Sequence, residues 1–215
     1  AARAASSPGD TPPRAGSPSR LTCRNTCSGG RSVCCTASAK VDATASLLAA
    51  SAAGSELPPP RWHFVGQLQT RKARSVARYA YAVHSLDRPE LATRLADAVE
   101  QAERGPLQVF LQVSLDGDPA RGGVSPGELA ALAAAVTARK QLSLRGVMAV
   151  APLGADPGAA FEQLASLSRT LRAEHPQADA ISAGMSDDLE EAVRHGATHL
   201  RVGSALLGRR SPVFG

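Results

Sequence analysis

Long apolar runs are missing from this chain. No window approaches the roughly 18 uninterrupted apolar residues that a membrane-crossing helix requires, and the Ala-rich stretches at 43–53 and 129–138 are too short and too weakly hydrophobic. Ala1 to Ser19 has no apolar centre between a charged start and a cleavage site, which argues against a secretory signal and makes the cytoplasm the expected compartment. The usual zinc pairs are absent as well. Cys23, Cys27, Cys34 and Cys35 fall in a C-x3-C-x6-C-C pattern with no histidine beside them, so they read as incidental thiols and no metal site is expected. A basic surface is missing from most of the chain despite a net charge of +5. Residues 1–36 hold Arg3, Arg14, Arg20, Arg24 and Arg31 against Asp10 alone, a net of +4, which leaves +1 for everything after them. A nucleic-acid partner is therefore not expected.

What is present reads as one soluble, compact domain, with 43% hydrophobic and 20% charged residues over 215 positions. Residues 1–36 are rich in Pro, Gly, Ser and Arg, contain no Lys and show no helical or strand period, so they are expected to be disordered or aberrant. A helix is expected from about Ala37 to Ala53, ended by Gly54 and the extended Pro58-Pro59-Pro60 run. The domain proper is placed at residues 37–215.

From Arg61 the pattern becomes regular, with short apolar runs alternating with amphipathic ones. Strands are expected at Trp62–Gly66, Tyr81–Ser85, Val109–Ser114, Leu144–Val150, Ala180–Ala183 and Leu200–Val202. Helices are expected near 70–78, 88–103, 125–139, 156–174 and 187–195. Ser125-Pro126 supplies an N-cap and first helical residue, Pro176 stops the fourth helix, and Gly196 ends the fifth. Strict strand–helix alternation implies an α/β fold with a parallel sheet. Six units suit a doubly wound open sheet, whereas an eight-stranded barrel needs two more units before Arg61.

In either architecture ligands sit at the C-terminal ends of the strands. Two junctions stand out there. At Ser182-Ala183-Gly184-Met185-Ser186-Asp187-Asp188 a strand ends in a glycine turn, and the helix behind it offers unpaired N–H groups suited to a phosphate. Ser186 as a plain N-cap, with Asp187 and Asp188 set against the helix dipole, explains the same residues without a ligand. At Arg201-Val202-Gly203-Ser204 a glycine and a hydroxyl follow the last strand, and the loops after the last two barrel strands frequently build a phosphate cup. Arg201 falls beside such a ligand, or in an ordinary ion pair. His63 and His84 lie inside apolar strands and read first as core histidines, Met148 as core packing, and Arg71, Lys72, Arg74 and Arg78 as a solvated face. The charged loop Asp116-Gly117-Asp118 with Arg121-Gly122-Gly123 reads as a lid or a linker.

Trp62-His63-Phe64-Val65-Gly66-Gln67-Leu68-Gln69-Thr70-Arg71-Lys72, His84-Ser85-Leu86-Asp87, Leu144-Arg145-Gly146-Val147-Met148-Ala149, Gly184-Met185-Ser186-Asp187-Asp188 and Arg201 to Gly208 together resemble the pyridoxal phosphate homeostasis proteins, single-domain relatives of the alanine racemase barrel, over about residues 61–210. The resemblance implies a (β/α)8 barrel of the TIM type, here incomplete, with pyridoxal 5'-phosphate at its mouth. It implies Ser186, Gly203 and Ser204 around the phosphate and Met185 and Arg201 beside the cofactor. It further implies a cytoplasmic bacterial cofactor carrier, a monomer without established turnover and without catalytic residues. The family's first strand ends in the lysine that forms a Schiff base, and its second in a Gly-Glu-Asn-type turn. Neither motif stands here. The lysines are Lys40, Lys72 and Lys140, none at that position, and Arg71 stands where the family usually has Asn. Cofactor binding is accordingly expected to be non-covalent. Residues 1–36 fit a shifted reading frame or a mistaken gene boundary, which the nucleotide sequence upstream of Ala37 would decide. Two enzymatic alternatives stand beside this reading: an amino-acid racemase, which needs a lysine base and a second acid–base group opposite, and a phosphate-binding barrel enzyme using His63 or His84 without the cofactor.

Overall fold

The structure is a computed structural model that describes residues 32–34, 61–118, 121–185 and 187–202, with the side chains of 32–34 excepted. Its strands are β1 (Ser32–Cys34), β2 (Trp62–Phe64), β3 (Ala80–Leu86), β4 (Leu107–Gln112), β5 (Leu142–Met148), β6 (Ala180–Ser182) and β7 (His199–Arg201). Between them run α1 (Ala73–Tyr79), α2 (Pro89–Gln101), α3 (Leu129–Thr137), α4 (Pro157–Glu174) and α5 (Leu189–Arg194), with 3-10 turns at Thr70–Lys72 and Pro126–Glu128. All seven strands pair in parallel, in the order β1-β7-β6-β5-β4-β3-β2.

The sheet is curled. In a flat sheet β2 and β7 would stand five strand spacings apart, roughly 24 Å at about 4.8 Å each. The rings of His63 on β2 and His199 on β7 are instead 5.9 Å apart, centroid to centroid. The curl is most of a barrel, so the open sheet favoured by counting units does not form. Among the described residues β1 and β2 are the two edges of the sheet, and residues 35–60, which join those strands, lie outside the described residues, as does the expected helix at 37–53.

β1 corrects the expectation that residues 1–36 carry no regular element. Ser32, Val33 and Cys34 pair with His199, Leu200 and Arg201. Three residues are too few to display a period of two, and their pairing is a long-range event that local sequence does not encode.

Two apolar layers flank the strands. Outward-facing residues such as Val83, Val109, Leu111, Leu144 and Val147 pack under the helices against Leu91, Leu95, Leu132, Phe161 and Leu164. Inward, Ala82, Phe110, Met148 and Ala180 fill the barrel. Strands covered on both faces read as near-continuous apolar runs, which explains the unalternating sequences of β3 and β4.

Helix starts follow capping chemistry. Ser125 and Glu128 form a reciprocal capping box ahead of α3, with Pro126 in the first turn. Asp156 caps α4 by accepting from Gly158 N at 3.0 Å. Asp156→Ala is expected to cost about 1 kcal/mol of stability in a denaturant titration, the usual value of such a cap; an unchanged midpoint would refute its role. No helix among the described residues is long and apolar enough to cross a membrane.

Candidate functional site at the C-terminal ends of β6 and β7

The two junctions singled out in the sequence are neighbours in space. Ser182 pairs with His199, Ala183 N donates to His199 O at 3.1 Å, and Arg201 N donates to Gly184 O at 2.9 Å. Gly184 has φ +88°, and a Cβ there would lie 2.7 Å from the Ala192 methyl group and 3.2 Å from Leu200 Cδ2. Its bare backbone lets the turn lie flat against α5.

The turn after β6 is closed by a carboxylate. Asp188 Oδ1 accepts from Met185 N, and Asp188 itself occupies the N-cap position of α5, which begins at Leu189. The helix thus starts at Leu189, two residues later than expected, with Asp188 at its N-cap position. Met185 is exposed beside it. Ser186, Gly203 and Ser204 lie outside the described residues.

Arg201 is enclosed, 5% exposed, and its guanidinium is held by oxygens of two neighbouring strand ends. Nη1 donates to Ser182 O at 2.9 Å and Ser182 Oγ at 3.2 Å, and Nη2 donates to Ala149 O at 2.8 Å. A planar fork fixed by three acceptors presents one cation in one orientation at the ligand end of the barrel.

Below Arg201 the barrel interior is polar. His84 Nδ1 lies 2.8 Å from Ser182 Oγ, and His84 Nε2 lies 2.8 Å from His63 Nδ1. His84 stacks on Phe110 with centroids 4.2 Å apart, and His199 sits edge-on to both. Burial first, then the positive potential of His199 and Arg61, pushes His63 down to about 4. Burial and Arg145 bring His199 to about 4 against the opposing pull of Asp179. Burial, the other two imidazoles and Arg201 hold His84 well below the usual histidine range. His63 and His84 are thus core histidines, neutral at physiological pH. His199 went unnoticed in the sequence, although it is a histidine inside a strand like the other two; the last strand was placed one residue late, at Leu200.

The remaining candidates resolve simply. Met148 is core. Arg71, Lys72, Arg74 and Arg78 are exposed as expected of a solvated face. Lys72 follows β2 at the ligand end but points outward, Lys140 precedes β5 at the opposite end, and Lys40 lies outside the described residues. The described residues of the 116–123 loop are tied to the barrel mouth. Arg121 pairs with Asp116 and Asp118 and donates to Ala151 O at 2.9 Å, while Gln112 Nε2 donates to Arg121 O at 3.0 Å. No group of metal-ligating residues occurs among the described residues.

The alanine racemase N-terminal domain family matches residues 34–211. The pyridoxal phosphate homeostasis protein of Mycobacterium leprae is 46% identical over 198 residues, covering 88% of this chain and 75% of that protein. Among solved structures, PipY of Synechococcus elongatus PCC7942 with pyridoxal phosphate bound is 30% identical with a TM-score of 0.69, covering 84% of this chain and 93% of that one. Alanine racemase from Corynebacterium glutamicum shares the fold at a TM-score of 0.56 and 15% identity, covering 87% of this chain and 58% of that one.

Proposed function

The chain belongs to the alanine racemase N-terminal domain family, and on that premise we propose that it is a pyridoxal 5'-phosphate-binding protein of vitamin B6 and amino-acid homeostasis, holding the cofactor without a covalent bond. The observation that carries this reading is Arg201: an enclosed, oriented guanidinium at the end of β7, beside the glycine turn that ends β6. That donor set fits an anionic, planar heteroaromatic ligand. Bound there, pyridoxal 5'-phosphate would supply a reactive aldehyde.

The chain's own residues would do the following. Ser186, Gly203 and Ser204 surround the phosphate with hydroxyl and main-chain donors, Met185 covers one side, and Arg201 faces the ring. Asp188 holds the Gly184–Met185 turn in place for the first of these contacts. The amine needed for a covalent link is not inside the barrel among the described residues. His63 and His84 sit below the mouth as neutral, enclosed groups, which does not suit an acid–base pair acting on a substrate at the strand ends. We further propose a monomeric, cytoplasmic carrier.

Titration with pyridoxal 5'-phosphate, followed by absorbance and equilibrium dialysis, tests the reading. Saturable binding reversed by dialysis is expected, with no label retained after borohydride reduction. Pyridoxal without its phosphate is expected to bind about tenfold or more weakly, because charge-assisted hydrogen bonds to the phosphate are lost. A borohydride-fixed adduct on Lys40, Lys72 or Lys140 would overturn the non-covalent assignment. Equal affinity for the two ligands would overturn the phosphate cup.

A further inference from the structure

The contacts beneath Arg201 have a direction. Arginine only donates, so Ser182 Oγ accepts from Arg201 Nη1. The Ser182 hydroxyl is fully enclosed, and its hydrogen has one acceptor among its partners, His84 Nδ1 at 2.8 Å. Nδ1 of His84 is then unprotonated, its proton is on Nε2, and that N–H donates to His63 Nδ1 at 2.8 Å. Were the proton on Nδ1 instead, Ser182 Oγ would accept from both sides and its hydrogen would have no partner, the costly arrangement for a buried group.

We propose that His84 is a positioning residue for the cofactor, acting through the Ser182 hydroxyl to hold the Arg201 guanidinium toward the ligand end of the barrel. The inference rests on the reading of Arg201 as a cofactor contact. It assigns a task to a fully buried side chain beneath the strand ends. A glutamine can make the same pair of bonds, accepting from Ser182 and donating to His63; a leucine can make neither.

The experiment is a pyridoxal 5'-phosphate titration of the full chain, wild type against H84L, H84Q and S182A, with the histidine tautomers read by long-range proton–nitrogen NMR on the wild type. H84L and S182A are expected to weaken binding about tenfold, and their combination to add little more, since both break one chain of hydrogen bonds. H84Q is expected to stay within about threefold of wild type. The wild-type spectrum is expected to show His84 protonated on Nε2 only, with its Nδ1 signal shifting on addition of the cofactor. Wild-type affinity in folded H84L, equal impairment of H84Q and H84L, an Nδ1-protonated His84, or an Nδ1 signal unmoved by the cofactor would each overturn the proposal. The NMR arm decides even where H84L fails to fold. Failure of the wild type to bind at all would overturn the cofactor reading and this inference with it, whereas intact wild-type binding with an indifferent H84L overturns this inference alone.

Discussion

Gly146→Ala is expected to cost about 3–5 kcal/mol, enough to leave little folded protein, because the added methyl group would enter a paired strand's backbone. Gly146 lies inside β5, opposite Phe110 of β4 and Ala180 of β6, with φ +151°. A Cβ there would overlap the Ala180 carbonyl oxygen, with the carbonyl carbon 2.7 Å and the amide nitrogen 3.0 Å away. A side chain in the way can swing aside; a hydrogen-bonded main chain between two strands cannot. Relief requires β5 and β6 to part, and that same pairing sets Met148 against Ser182, the residue on which Arg201 rests. Loss of stability and loss of cofactor binding are therefore expected together. Gly127→Ala supplies the control, since a Cβ at Gly127 meets nothing within 4 Å. Urea titration of both variants checks the contrast, and a Gly146→Ala midpoint close to that of Gly127→Ala would refute the strand-separation argument.

The elements from Arg61 onward were legible because each carries its own local signal. Apolar runs bounded by Pro, Gly and Ser mark β2 to β7, and the Ser125-Pro126 pair marks a helix start that the structure confirms with capping contacts. The curl was not legible, because closure depends on which distant strands share an interior, and six strand–helix units are compatible with either an open or a closed sheet. Only the resemblance to a barrel family favoured closure. β1 was hidden for a related reason: Ser32–Cys34 gains its strand character from β7 alone. Within the site, Arg201 could be placed at a strand end from sequence, but its partners could not. Ser182 and Ala149 belong to strands roughly 20 and 50 positions away along the chain, and only strand register brings them to one guanidinium. The histidine column is the instructive omission. His63 and His84 were visible one at a time, His199 was not, and the meeting of all three inside the barrel follows from the curl.

That column makes acid stability the second large expected effect. In the unfolded chain each imidazole takes up a proton near the ordinary value of 6.5, whereas His63 and His199 in the fold do so only near 4 and His84 well below the ordinary value. Between about pH 6.5 and pH 4 the unfolded state therefore binds more protons than the folded state. Stability rises with pH wherever that holds, so it is fully present above the unfolded value and is lost as the pH falls through this window. At pH 5 His63 alone contributes about 2 kcal/mol of destabilisation, a large share of the usual 5–15 kcal/mol, and His84 adds to it in the same direction. The more accessible His199 adds less. Protonation of His63 is opposed by His199 and Arg61, that of His84 by His63, His199 and Arg201, and that of His199 by Arg145 against the pull of Asp179. Denaturant titrations at pH 7.5 and pH 5 are expected to show this drop, and H84Q is expected to flatten it by about a third to a half, since glutamine has no proton to gain. A midpoint that does not move between the two pH values would show that the column is reached by water or already charged in the folded protein. It would also remove the neutral His84 from which the direction of the Arg201–Ser182–His84–His63 chain was argued.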